Sequence, residues 1–234
     1  MLEVKNFSVG YGDIIAVWDL SFSVKPGEIF ALMGANGAGK SSTLMSLMGL
    51  VERKSGEVYL DGEDLTGKMV EQRITAGLAI VPEGRRIFPD LSVHENLIVG
   101  GHTIQKSTML AGIKEVYRIF PRLLERQTQK AGSLSGGEQQ MLAMGRALIS
   151  QPKYLIVDEL SLGLMPKVID ECYEALRILK GRDVGILLVE QNTERVFANA
   201  DNICVLEAGN TIWEGSCTDA MKDTSLKSSL MGVH

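Results

Sequence analysis

The chain has 234 residues, 45% hydrophobic and 23% charged, with a formal net charge of −5. That size suits one compact domain with a sizeable core, and the acidic balance argues against non-specific nucleic-acid binding, which rests on clustered Lys and Arg. Apolar runs such as 154–157 and 186–189 fall well short of the roughly 20 residues that a membrane-spanning helix needs. The opening MLEVKNFSVG has no apolar leader segment, so the expectation is a soluble cytoplasmic protein. Cys172, Cys204 and Cys217 are odd in number and lack C-x-x-C spacing, which reads as ordinary small apolar residues in a reducing compartment. His94, His102 and His234 are too scattered for a metal site and read as solvated or packing residues.

Taken in order, the patterns predict a strand over 3–9, another over 21–24, a Pro26-Gly27 turn and a strand over 29–33. A glycine-rich stretch and a helix over 41–48 follow, then a strand over 57–60, a turn at Asp61-Gly62, and an apolar strand over 78–81 closed by Pro82. Between 84 and 150 helical periodicity dominates, as over 113–120 and 139–149. Strand and helix then alternate again: 154–157, a helix over 168–180 ending at Gly181, 185–189, 203–206, a turn at 208–210, and 211–213. The reading is an α/β domain whose parallel sheet is covered by helices. It divides into a core (1–83 and 151–234) and an inserted helical subdomain (84–150).

Gly34-Ala35-Asn36-Gly37-Ala38-Gly39-Lys40-Ser41 fits G-x-x-x-x-G-K-[ST], with an apolar strand before it and a helix after it. Glycines let backbone N–H groups turn inward around a polyphosphate, and the helix start adds a favourable dipole. Lys40 would then sit on the β- and γ-phosphates, and the Ser41 hydroxyl would ligate Mg²⁺. Tyr154-Leu155-Ile156-Val157-Asp158-Glu159 is a buried-strand pattern ending in two acids. In open α/β sheets the ligand crevice lies beyond those carboxyl ends. Asp158 is thus expected on Mg²⁺, directly or through water, and Glu159 as the base that takes a proton from the attacking water.

Leu134-Ser135-Gly136-Gly137-Glu138-Gln139-Gln140 stands shortly before the acidic strand. Ser-Gly-Gly ahead of a helix makes both a helix cap and an amide-rich anion site. This segment resembles the signature sequence of ATP-binding-cassette (ABC) ATPases, and the order of the three motifs is that of the family. The resemblance covers essentially the whole chain. It implies a P-loop NTPase core with a mainly parallel sheet, an amino-terminal antiparallel β region and an inserted helical subdomain. It also implies ATP as substrate, cradled by residues from Gly34 through Ser42, with Tyr11 against the adenine. The signature, from Leu134 through Glu138, would meet the γ-phosphate held by a second subunit.

Two further segments narrow the likeness. Val81-Pro82-Glu83-Gly84-Arg85-Arg86-Ile87-Phe88 is similar to the glutamine loop of branched-chain amino-acid importers, with Glu83 where most cassettes have Gln. Leu188-Val189-Glu190-Gln191-Asn192 resembles the same branch's switch region, with Gln191 replacing the usual histidine, and Ser161-Leu162-Gly163-Leu164 follows its pattern. The likeness implies Glu83 near the metal and at the junction that passes motion to a membrane partner. Gln191 would hydrogen-bond the γ-phosphate or the water. A second ATPase subunit (identical or a paralogue), transmembrane permease subunits, indirectly a substrate-binding protein, and a place on the inner face of the cell membrane are all implied; nucleic acid is not. Urea or amide importers share the architecture. Cassette ATPases outside transport usually carry doubled cassettes, coiled coils or basic patches that this sequence lacks. One departure is Leu160, where the family usually has proline; leucine restores a backbone donor and frees φ, and the expected effect on activity is modest.

Overall fold

The computed structural model describes residues 1–224 and Leu226; His234 lies outside the described residues. Its strands are β1 (Leu2–Tyr11), β2 (Ile14–Val24), β3 (Ile29–Gly34), β4 (Arg53–Leu60), β5 (Glu63–Asp64), β6 (Leu78–Val81), β7 (Tyr154–Asp158), β8 (Gly185–Val189), β9 (Asn202–Glu207) and β10 (Asn210–Ser216). They form two sheets, one in the order β2-β1-β4-β5 and one in the order β10-β9-β3-β8-β7-β6. The first is antiparallel. In the second every pair is parallel except β9 with the edge strand β10.

Every residue of β7 and β8 is buried, as expected of parallel strands covered on both faces. Their side chains alternate between two cores. Leu155, Val157, Ile186 and Leu188 enter one cluster, and Tyr154, Ile156, Leu187 and Val189 enter the other. The helices are α1 (Lys40–Leu47), α2 (Val70–Ala76), α3 (Val93–Gly100), α4 (Lys106–Ile119), α5 (Pro121–Glu125), α6 (Gly136–Leu148), α7 (Pro166–Lys180), α8 (Thr193–Asn199) and α9 (Cys217–Ala220). α3 to α6 all fall between β6 and β7 in the chain. Met141, Leu142 and Met144 of α6 pack with Leu97, Val116 and Leu123 from the neighbouring helices and with Val81 and Leu155 of the sheet. The second cluster joins α1, through Leu44 and Leu47, to Phe7, Leu20 and Val58 of the antiparallel sheet.

Register then places the functional segments. Pairing runs Ile29↔Ile186 between β3 and β8, and Asp158↔Val189 between β7 and β8. The carboxyl ends of β3, β7 and β8 therefore lie side by side, and the chain leaves each of them at the same edge. β2 runs unbroken from Ile14 to Val24, where the sequence predicts a strand only over 21–24. The reason is local: Trp18 and Asp19 are exposed and Asp19 has φ of 45°, so the bulge hides the alternation. All three cysteines are buried free thiols, and burial pushes Cys172 and Cys204 up to about 12. His94 Nδ1 hydrogen-bonds the Tyr117 hydroxyl at 3.0 Å. Among the described residues no helix is long and apolar enough to cross a membrane.

Arg73 of α2 fixes the far end of α1. The residue is 4% exposed, and Nη1 donates to the carbonyls of Leu47 (2.6 Å) and Ser46 (3.4 Å), the helix's last turn. Nε reaches the carbonyl of Lys68 at 2.9 Å and Nη2 that of Thr66 at 3.2 Å. A cation at a helix carboxyl end meets the negative pole of the dipole. Arg73→Ala is expected to lower the unfolding free energy by about 2–4 kcal/mol in urea titrations, because buried carbonyls lose charged donors. A loss below about 0.5 kcal/mol, the scale of an ordinary surface change, would contradict this role.

Candidate active site

β3 ends at Gly34, the glycine loop follows, and α1 opens at Lys40. Gly39 has φ of 99°, and a Cβ there would stand 2.2 Å from Val17 Cγ2 and 2.7 Å from the Ala16 carbonyl oxygen, so the loop needs glycine at this point. Lys40 is 5% exposed. Its Nζ donates back to the carbonyls of Gly34 (2.8 Å) and Ala35 (3.0 Å). Burial lowers its pKa, and the nearby charges of Glu159, Asp158 and Glu190 oppose that shift. A buried ammonium satisfied only by loop carbonyls is a natural counter-charge for an incoming phosphate.

Across the loop, Ser41 Oγ donates to Asp158 Oδ1 at 3.4 Å. Asp158 is 1% exposed at the end of β7, and its Oδ2 is buried with no hydrogen-bond partner among the described residues. Burial pushes its pKa up to about 6, and Glu159 and Glu83 add to the rise. An orphaned carboxylate oxygen beside a serine hydroxyl is the hard-oxygen donor set that a Mg²⁺-type ion takes when phosphates and water supply the rest of its shell. Among the described residues no group of three His, Cys, Asp or Glu could cage a metal alone, so phosphate oxygens would have to complete any such site.

Glu159 follows with φ of 48°, and its N–H donates to the Val189 carbonyl at 3.0 Å. Its Oε1 accepts from Gln191 Nε2, and the same amide donates to Asn36 Oδ1 at 2.8 Å. Gln191 therefore bridges the phosphate loop and the acidic pair. Leu160 is fully buried in the core. Its side chain packs into the core beside the acidic turn, a contact that the sequence reading, with its restored backbone donor and freer φ, does not include.

Asn36, Gly37, Lys40, Ser41, Glu159 and Gln191 line one cleft of about 400 Å³, with Gly39, Ser42 and the exposed Glu83 also on its wall. Ala16 and Leu162 line it too. Neither is among the site residues expected from sequence: Ala16 sits in the half of β2 that the bulge conceals, and Leu162 enters there only as part of the Ser161–Leu164 segment, with no role of its own. Tyr11, at the end of β1, is 56% exposed and lies outside that lining, as do Leu134 to Glu138. Ser135 caps α6: its Oγ accepts from the Glu138 N–H at 3.3 Å, while its own N–H donates to Glu138 Oε2 at 2.9 Å. A Cβ on Gly137 would meet Val168 at 2.7 Å. The exposed Ser135 thus stands free of its own chain's phosphate loop.

The folded, nucleotide-free chain keeps the Asp158 proton up to about pH 6, whereas an unfolded Asp ionises near pH 4. Between those values the unfolded state binds fewer protons, so stability falls as pH rises from about 4 to about 6 and stays lower above that. Asp158→Asn carries no charge and still accepts from Ser41. In EDTA it should raise unfolding stability at pH 7.5 by about 1–3 kcal/mol, with the gain fading toward pH 4. Equal gains at both pH values would contradict the assignment.

Comparison with known proteins bears on this geometry. The family model described as ABC transporter matches residues 17–161. The chain is 43% identical to the high-affinity branched-chain amino acid transport ATP-binding protein BraG of Pseudomonas aeruginosa, over 99% of this chain and 100% of that protein. It is 35% identical to the probable branched-chain amino acid transport ATP-binding protein LivF of Archaeoglobus fulgidus, over 100% and 99% respectively. A Nod factor export ATP-binding protein I of Burkholderia orbicola is 36% identical over 92% of this chain and 70% of its own length. A solved ATP-binding subunit of an ABC transporter superposes with a TM-score of 0.86 at 28% identity, covering 99% of this chain and 98% of that one. With the family model spanning more than half of it and BraG matched end to end, the chain belongs to the ABC transporter family, as one of its ATP-hydrolysing ATP-binding cassettes.

Proposed function

We propose that this chain is the ATPase subunit of an importer for branched-chain or other hydrophobic amino acids. It works on the inner face of the cell membrane with permease subunits and, through them, a substrate-binding protein. In this reading residues from Gly34 through Ser42 hold the triphosphate and Tyr11 meets the adenine. Ser41 and Asp158, with Glu83 beside them, hold Mg²⁺, which screens phosphate charge. Glu159 takes the proton of the attacking water, and Gln191 hydrogen-bonds the water or the γ-phosphate. Segments 1–83 and 151–234 form the ATP-binding core, and 84–150 carry the signature to a second cassette.

The observation that carries the reading is a division of the residues. Lys40, Ser41, Glu159 and Gln191 all line one cleft, with the buried Asp158 facing Ser41 behind its wall, whereas the signature of the same chain lies outside it. A triphosphate seated there lacks donors on its open side, and the Ser135-Gly136-Gly137 cap of a neighbouring chain supplies them. ATP then favours the closed pair by its differential affinity. The cargo assignment draws on the end-to-end likeness to BraG rather than on any pocket in this chain.

Glu159→Gln is expected to bind ATP and to pair, yet to hydrolyse it at least about a hundredfold more slowly, the scale of a lost general base. Parent-like turnover in a phosphate-release assay would remove Glu159 from that role. For the cargo, cells lacking this chain should lose high-affinity uptake of radiolabelled leucine and keep uptake of urea. Unchanged leucine uptake would shift the assignment to another solute.

A further inference from the structure

Directly beyond β8, between Val189 and Gln191, Glu190 is a carboxylate only 3% exposed that the scheme above does not use. Ionised carboxylates are seldom buried this far, because leaving water is costly unless hydrogen bonds replace it. Here they do. Oε1 accepts from Ser161 Oγ at 2.9 Å, from the Gln191 N–H at 2.9 Å and from the Asn192 N–H at 3.2 Å. Oε2 faces the Tyr173 hydroxyl of α7 at 3.5 Å. All four hydrogen-bond partners are neutral groups, so besides its charge on Lys40 the carboxylate ties two loops together. One loop runs Glu159-Leu160-Ser161, and the other runs Glu190-Gln191-Asn192. Glu159 and Gln191 meet at their side chains, and Glu190 Oε1 joins the two loops through the Ser161 hydroxyl on one and the Gln191 and Asn192 N–H groups on the other.

We infer that Glu190 is a positioning residue that sets the distance between the Glu159 turn and the Gln191 loop by gripping both through one carboxylate oxygen. This rests on the roles given to Glu159 and Gln191 above. It differs from a packing role because a misplacement of about 1 Å between reacting groups can cost on the order of a hundredfold in rate while leaving substrate binding nearly intact. Glu190→Gln keeps an oxygen at the Oε1 position for three of the four bonds and turns its amide toward a hydroxyl that can accept. Glu190→Ala loses all four.

The test uses the full-length chain, steady-state ATP hydrolysis at 25 °C and thermal melts. Glu190→Ala should lower kcat at least about tenfold with KM for ATP changed less than about threefold, and Glu190→Gln should stay within about threefold of the parent in kcat. Tyr173→Phe, which removes only the contact to Oε2 and leaves the three bonds of Oε1 in place, should shift the melting temperature and leave kcat alone. Ser161→Ala removes a single bond from a partly exposed loop, so it folds even if Glu190→Ala does not. It should lower kcat about threefold or more at an unchanged melting temperature. A melting shift in Glu190→Ala without a loss of kcat, a Glu190→Gln as slow as Glu190→Ala, or a parent-like Ser161→Ala would each overturn the inference. Glu159→Gln and Gln191→Ala run alongside. If neither slows turnover, the underlying site reading fails; if both do and Glu190→Ala does not, only the positioning role fails.

Discussion

Everything at the site depends on the parallel pairing of three buried strands. β8 sits between β3 and β7, and the register Asp158↔Val189 brings the acidic pair level with the root of the Gln191 loop. The Glu159 N–H extends that ladder by one more bond, to the Val189 carbonyl. Because side chains on a strand alternate, a one-residue slip would exchange the Leu155 and Ile156 faces and turn Asp158 away from Ser41. The two apolar clusters on either side of the sheet oppose such a slip, since every apolar side chain of β7 and β8 is committed to one or the other. Core packing and site geometry are therefore the same constraint seen from two sides.

That constraint crowds negative charge. Asp158, Glu159, Glu83 and Glu190 all act on a small volume that holds one lysine. Without a ligand the groups satisfy each other: Lys40 turns to its own loop's carbonyls, Gln191 spans Asn36 and Glu159, and Ser41 meets Asp158. Among the described residues one buried carboxylate oxygen there, Asp158 Oδ2, is left without a partner. A cation there lowers the cost of the cluster, and a phosphate gives Lys40 a better partner than a carbonyl. Ligand binding replaces internal hydrogen bonds with charge-assisted ones, which is how a polar site can stay ordered and still be ready to change.

Much of this was legible in the sequence where a local pattern carries the physics. The runs that became β6 and β8 end where their apolar residues end, and the lysine loop, the acidic pair and the signature are contiguous strings. What escaped depends on contacts between distant segments. The first half of β2 was hidden by the Trp18-Asp19 bulge, and with it went Ala16 on the cleft wall. α2 and α8 are only seven residues long, too short for helical periodicity to show. Glu190 looks like any acid after a strand until Ser161, almost thirty residues earlier, is found bonded to it. Leu160 read as a loss of rigidity because its burial is a tertiary fact.

The most direct measurement is a crystal structure of this chain with magnesium and a non-hydrolysable ATP analogue. The account predicts the triphosphate on the glycine loop, Lys40 Nζ moved from the Gly34 and Ala35 carbonyls onto phosphate oxygens, and Gln191 released from Asn36 toward the terminal phosphate. A nucleotide bound away from that loop, or one bound there with Lys40 still on its own carbonyls, would contradict it.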